Sequence, residues 1–129
     1  TVEWRSPDAA LPSQILQLAD DLAAIVGRVT DAPVRVEGET GRVTSEGIVL
    51  PEFDAVEDYV DAAISDGLAS KDVREYLNRM GFEVDAYDPL TRERDDPTDL
   101  SPADARERRL TYAERLEADV RRVSSITAD

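Results

Sequence analysis

The chain has 129 residues, no cysteine and no histidine, which excludes disulfides, thiol nucleophiles, Cys/His metal centres and every catalytic triad that needs an imidazole. Its formal net charge is −14, with fourteen arginines against one lysine, Lys71. So acidic and lysine-poor a surface suits a cytoplasm at molar salt, where self-repulsion is screened over a Debye length of about 3 Å, although a GC-rich genome also favours Arg over Lys.

Val2 and Trp4 alternate with Glu3 and Arg5, a short extended pattern that suits addition to a sheet edge. Ser6, Pro7 and Asp8 carry the signals of a helix start, and Pro12 interrupts that turn and restarts the helix. From Ser13 to about Val29 the apolar residues Ile15, Leu18, Leu22, Ile25 and Val29 recur every three or four positions, widened by Leu16, Ala19, Ala23 and Val26. This is the clearest helix in the chain. So broad a stripe is expected to face a globular core rather than a coiled-coil partner, since it covers barely two heptads.

Residues 34–50 read as a β-hairpin. Val34, Arg35, Val36 and Glu37 alternate as a half-buried strand should, and Gly38, Glu39, Thr40 and Gly41 tolerate the positive φ of a reversal before Arg42, Val43 and Thr44 and then Gly47, Ile48, Val49 and Leu50. The Gly-Glu-Thr-Gly-Arg run lacks the Gly-Lys-Ser/Thr of a phosphate loop. Pro51 stops the strand. Asp54 with Glu57 forms an expected capping box for a helix over 54–66 whose inward stripe is Phe53, Val56, Val60, Ala63 and Ile64. Its outer acids Asp54, Asp58 and Asp61 repel one another by a few tenths of a kcal/mol per i,i+4 pair in dilute buffer, a cost that salt removes. Gly67 and Leu68 close that helix. Ser70 then caps a second one over 71–80 carrying Val73, Tyr76, Leu77 and Met80, and Gly81 and Phe82 end it the same way. Phe82, Val84 and Ala86 alternate with polar neighbours, so 82–87 is predicted to return as a closing strand.

Residues 88–100 form a charged, proline-bearing linker. Its acids Asp95, Asp96 and Asp99 match no EF-hand spacing. Ser101, Pro102 and Asp104 open a final helix, supported by i,i+4 pairs such as Asp104 with Arg108 and Glu117 with Arg121, with apolar residues recurring only from Ala113 through Leu116, Val120 and Val123. The last residues from Ser124 are expected to fray. Acids outnumber Lys and Arg by 19 to 7 over residues 1–91, but only by 9 to 8 over 92–123. A nearly neutral, arginine-bearing arm therefore follows a strongly acidic body.

The fold class expected is α+β: a small antiparallel or mixed sheet, made of a β-hairpin plus one later strand, packed by three helices and followed by a linker and a C-terminal amphipathic helix. Residues 1–12 are a leader, 13–87 the body, 88–100 the linker and 101–129 the helical arm. The corresponding function is non-catalytic, an assembly or adaptor subunit that binds other protein chains as a homo- or hetero-oligomer, in the manner of a virion component. Trp4, Arg106, Arg109, Tyr112 and Leu116 are the candidate partner-binding residues, because aromatic residues and arginine anchor interfaces. No residue is nominated as catalytic or metal-binding, and no cofactor is expected.

The alternative is a helix-turn-helix DNA-binding regulator using residues 54–80. Ala63, Gly67, Leu68 and Val73 fall at positions 5, 9, 10 and 15 of that motif, and Lys71, Arg74 and Arg79 are the candidate DNA contacts. Asp66 stands where an apolar residue is usual, and a net charge of −14 opposes approach to phosphates. No apolar run approaches the ~20 residues of a membrane helix, and the first residues lack the basic and apolar regions of a signal peptide. The expected location is cytoplasmic or particle-associated.

Overall fold

The structure, a computed structural model, describes residues 10–87 and 101–126. The expectations for the leader strand around Trp4, the turn at Ser6 and Pro7, the linker 88–100 and the last three residues lie outside the described residues. Among the described residues, four helices and a three-stranded mixed sheet make a small α+β fold with a C-terminal helix. The elements are α1 (Pro12–Asp31), β1 (Val34–Val36), β2 (Arg42–Val43), β3 (Ile48–Leu50), α2 (Phe53–Asp66), a 3-10 turn (Gly67–Ala69), α3 (Lys71–Arg79), a second 3-10 turn (Val84–Tyr87) and α4 (Pro102–Ile126). The described residues fall into two compact units, 17–87 and a second made of 10–16 with 101–126.

In the first unit the sheet order is β1-β3-β2, with β1 parallel and β2 antiparallel to β3. This corrects the simple hairpin reading. The reversal at 38–41 does not fold the second strand back on β1. It carries the chain past the end of β3 to the far edge, and the tight turn through Thr44 and Gly47 then brings β3 back into the centre. Thr44 N–H donates to Gly47 O at 2.9 Å, and the Thr44 hydroxyl accepts from Glu46 N–H at 3.3 Å. Pro33 O accepts from Ile48 N–H at 2.9 Å, and a Cβ on Gly47 would lie 2.8 Å from that same oxygen. Glycine at 47 is what lets β1 and β3 come together in parallel.

The predicted closing strand over 82–87 is likewise replaced by a 3-10 turn, Val84–Tyr87. The strand positions beside β3 are already taken by β1 and β2. Val84 instead drops into the core, where it is 1% exposed. That core is small and aliphatic: Ile48 and Val49 from β3, Val73 and Met80 from α3, and Val84. Helix α3 packs against β2, α2 and the second 3-10 turn.

Local signals place the helix ends well. The Ser70 hydroxyl accepts from Val73 N–H, and Gly81 (φ 94°) closes α3 while Phe82 N–H donates to Leu77 O. Gly67 (φ 56°) closes α2, its N–H reaching Ala63 O. The start of α2 is a correction. Glu52 rather than Asp54 occupies the N-cap, without a side-chain bond, because its N–H is held by Gly38 O at 2.7 Å and the helix begins one residue early.

In the second unit, Ser101 and Asp104 cap α4 reciprocally, the Ser101 hydroxyl accepting from Asp104 N–H and the Asp104 carboxylate from Ser101 N–H, each at 3.2 Å. The helix then runs on to Ile126 through residues read as frayed. Arg121 pairs with Glu117 one turn back, as the i,i+4 spacing predicts.

Gly41 is held at φ 56°, and a Cβ there would lie 2.8 Å from Pro51 Cδ and 3.1 Å from the Tyr76 ring. Gly41→Ala combines a left-handed backbone with a steric clash, so it should lower unfolding stability by about 2 kcal/mol. Urea unfolding of the purified chain measures this, with Gly67→Ala, whose added Cβ meets nothing within 4 Å, as the milder reference at a similar φ.

Candidate protein-interaction surface

Each helix of the body presents one side to the rest of its unit and one to solvent, and polar anchors decide which side is which. On α1, the side turned inward carries Gln17, Leu18, Asp21, Ile25 and Arg28, all buried or half-buried. Asp21 is its centre. The carboxylate accepts from Gln17 Nε2 at 2.9 Å, from Glu83 N–H at 3.0 Å and from the Tyr87 hydroxyl at 2.6 Å. One turn from the helix end, the Arg28 guanidinium donates to Thr44 O. Burial pushes the Asp21 carboxyl up, but the bonds from Tyr87, Glu83 and Gln17 outweigh it and hold the group below its ordinary value. Burial, together with the bond to Asp21 and its charge, pushes the Tyr87 phenol up, so Tyr87 remains a donor.

With that side engaged, the apolar row of α1 faces out. Leu22 is 37% exposed, Val29 51% and Val26 66%. The expectation that the broad stripe would seat on a core is therefore corrected. Only Leu18 and Ile25 turn inward with the polar anchors, because a sheet of two- and three-residue strands has no apolar face large enough for a 20-residue helix.

Helix α2 departs from expectation in the same way. Ala55, Val56, Tyr59 and Ala62 form its inner side, while Phe53 at 77% and Ile64 at 78% are exposed, with Val60 beside them. The anchor here is aromatic. Tyr59 stacks on Tyr76 of α3 with ring centroids 4.5 Å apart and planes 14° from parallel, and its hydroxyl donates to Glu39 O at 3.2 Å. Satisfying that stack and that hydroxyl turns Phe53, Val60 and Ile64 away from the core.

Of the candidate DNA contacts, Arg79 donates from Nε to Thr40 O at 3.0 Å and to Gly41 O at 3.2 Å, and from Nη2 to the Tyr59 hydroxyl at 3.2 Å. Arg74 pairs with Asp85 at 2.6 Å, and Lys71 with Glu75 at 3.4 Å. Arg79 thus clamps the 38–41 turn, and Arg74 ties α3 to the turn that follows it. Ala63 is exposed, whereas Val73 is buried.

In the second unit, Arg106, Arg109, Tyr112 and Leu116 lie along one side of α4. The two arginines are exposed, with Arg109 Nε donating to Ala105 O of its own helix at 3.3 Å, and Tyr112 and Leu116 are half-buried. Trp4 lies outside the described residues. Sequence reading passed over Asp119, which is 6% exposed. Its Oδ2 accepts from Ser13 N–H at 2.8 Å and its Oδ1 from Arg122 Nη2 at 2.8 Å. Leu11 precedes the helix without a side-chain oxygen and Pro12 has no N–H, so α4 supplies the cap that the start of α1 lacks locally. Gln14 completes it by accepting from Leu11 N–H at 3.1 Å. Burial raises the Asp119 carboxyl, and the Ser13 bonds with the Arg122 bond and charge outweigh it, so the group sits below its ordinary value. Only the absent N-cap oxygen at Leu11 hinted at this in the sequence.

A groove of about 340 Å³ is lined by Arg35, Arg42 and Val49, which neighbour one another across the sheet, and by Thr44, Ser45 and Glu46 of the turn. Among the described residues no three carboxylates cluster as a metal site, and no helix is long and apolar enough to cross a membrane. Comparison with known proteins found no match, whether to a protein family, a curated protein or a solved structure.

A carboxyl held low in the folded state contributes stability above its unfolded value, and that contribution is lost as the pH falls through the folded one. Asp21→Asn should therefore destabilise the chain at pH 7 by about 2 kcal/mol, since bonds to a charged acceptor are worth about 1.5–3. The gap from the parent should narrow as the pH drops below 3.8, the ordinary carboxyl value. Urea midpoints across pH 2.5–7 measure it, and a constant gap would remove Asp21 as the anchor.

Proposed function

We propose that this chain is a non-catalytic assembly or adaptor subunit that binds other protein chains through the outward apolar rows of its helices and the arginine-bearing side of α4. The observation that carries this reading is the inversion of α1 and α2. Val26, Phe53 and Ile64 are each more than 60% exposed, while polar anchors occupy the inner sides of the same helices. Scattered apolar residues are ordinary on any surface, but rows along two helices give partner chains continuous area to bury.

The acidic surface fits the same reading. A charge of −14 keeps copies apart in dilute buffer, and molar salt removes that repulsion while strengthening apolar contact. A halophilic, cytoplasmic or particle-associated setting, a virion among them, supplies the conditions in which such faces would pair. The helix-turn-helix alternative draws no comparable support, because it requires of Arg74 and Arg79 the guanidinium groups that Asp85 and the 38–41 turn already engage.

Light scattering after size exclusion, on the full-length chain in 2 M KCl, tests the proposal. The expected mass is at least two chains, falling towards the 14.2 kDa monomer as KCl is lowered to 50 mM. A monomeric mass at every concentration and salt would overturn it.

A further inference from the structure

We infer that the groove beside the 44–47 turn binds the phosphoryl group of a small organic phosphate between the guanidinium groups of Arg35 and Arg42. Such a site is independent of the assembly reading.

Strand register brings the two arginines together. Arg35 of β1 and Arg42 of β2 both stand opposite Val49 of β3, so the three side chains project from one face of the sheet. Val49, 6% exposed, and Pro33 give the groove an apolar lining, which Thr44, Ser45 and Glu46 complete. The backbone around it is tied in place. Thr44 donates to Gly47 O from both its N–H and its hydroxyl, Pro33 O accepts from Ile48 N–H, and the Arg28 guanidinium reaches Thr44 O.

The charge of this groove runs against that of the molecule. Residues 17–87 carry sixteen acids against six basic residues. Lys71, Arg74 and Arg35 pair with Glu75, Asp85 and Glu37, while Arg28 and Arg79 are bound to main-chain oxygens. Arg42 has no side-chain hydrogen bond or ion pair among the described residues, although acids are plentiful. Three of the six cations, Arg28, Arg35 and Arg42, thus gather around one turn. Arg35 meets Glu37 at 3.4 Å with both side chains exposed, a pair that water already weakens and that a more strongly charged acceptor can displace.

Geometry then selects the ligand. Two strand spacings set the Cα atoms of Arg35 and Arg42 about 10 Å apart, with Val49 between them. The two oxygens of a carboxylate are taken up by a single guanidinium fork, whereas a phosphoryl group offers three terminal oxygens and up to two charges, enough for a fork on either side. A groove of about 340 Å³ is at the small end of organic-ligand sites, with room for an apolar group against Val49 and Pro33. A polymeric phosphate chain would run on from it over an acidic surface, so charge favours a small ligand.

Phenyl phosphate is the probe, titrated into the full-length chain in 50 mM KCl and followed by amide chemical shifts. Saturable shifts are expected at Arg35, Arg42 and residues 44–49. Arg42→Gln should weaken binding by about 10- to 100-fold, the worth of a hydrogen bond to a charged group, and should leave the far-UV circular dichroism unchanged, since that side chain is exposed. Lys71→Gln, which removes an exposed cation on α3, should leave the affinity unchanged. Benzoate should bind about tenfold more weakly than phenyl phosphate, because it engages one fork. Absence of saturable shifts, an affinity indifferent to Arg42→Gln, an equal loss in Lys71→Gln, or benzoate binding as tightly as phenyl phosphate would each overturn the assignment.

Discussion

The carboxylate of Asp21 accepts three hydrogen bonds, from Gln17 on its own helix and from Glu83 N–H and the Tyr87 hydroxyl more than sixty residues further on. A buried carboxylate cannot leave such partners without exposing an unpaired charge to a poorly solvated site, so the bonds fix the rotation of α1 about its axis. Everything else about that helix follows. The polar side faces the body, Arg28 reaches Thr44 O, and the apolar row of Leu22, Val26 and Val29 is left outside. The same contact explains why the chain after α3 forms a 3-10 turn: the turn presents Glu83 N–H and Tyr87 to one acceptor and lowers Val84 into the core.

A second polar device governs the 38–41 turn and the seating of α2. Arg79 gathers Thr40 O, Gly41 O and the Tyr59 hydroxyl, and the stacked pair of Tyr59 and Tyr76 holds α2 against α3. With few large side chains available for the core, buried hydrogen bonds and one aromatic stack position the elements that aliphatic packing would position in a richer protein. Hydrogen bonds are directional where apolar contact is not. The helices are consequently oriented by their polar groups, and their apolar residues divide between the inside and the outside. Asp119, which caps the start of α1 from α4, is a third instance of the same economy.

This arrangement joins the two strongest features of the chain, its acidity and its outward apolar rows. Long-range repulsion and short-range apolar attraction act on different length scales, and salt shortens only the first. Under the proposed assembly reading, association through the outward rows would be coupled to ionic strength without any titrating switch. An adaptor built this way would remain dispersed where salt is low and assemble where it is high.

The sequence by itself determined the existence and nearly all the limits of the four helices, the glycine stops at Gly67 and Gly81, the caps at Ser70 and Ser101, the small aliphatic composition of the core and the presence of strands between Val34 and Leu50. Each of these depends on interactions within a few residues, which spacing and side-chain chemistry report directly. Tertiary structure alone decided the strand order, the 3-10 turn at Val84, the cap that Asp119 lends to Ser13, and above all which sides of α1 and α2 are covered. The apolar stripes of those helices looked inward because periodicity locates a stripe without saying what lies opposite it. Here the opposing surface was too small to cover them, and hydrogen bonds reaching across 62 and 66 residues to Asp21 and across 20 to Tyr59 turned the helices the other way.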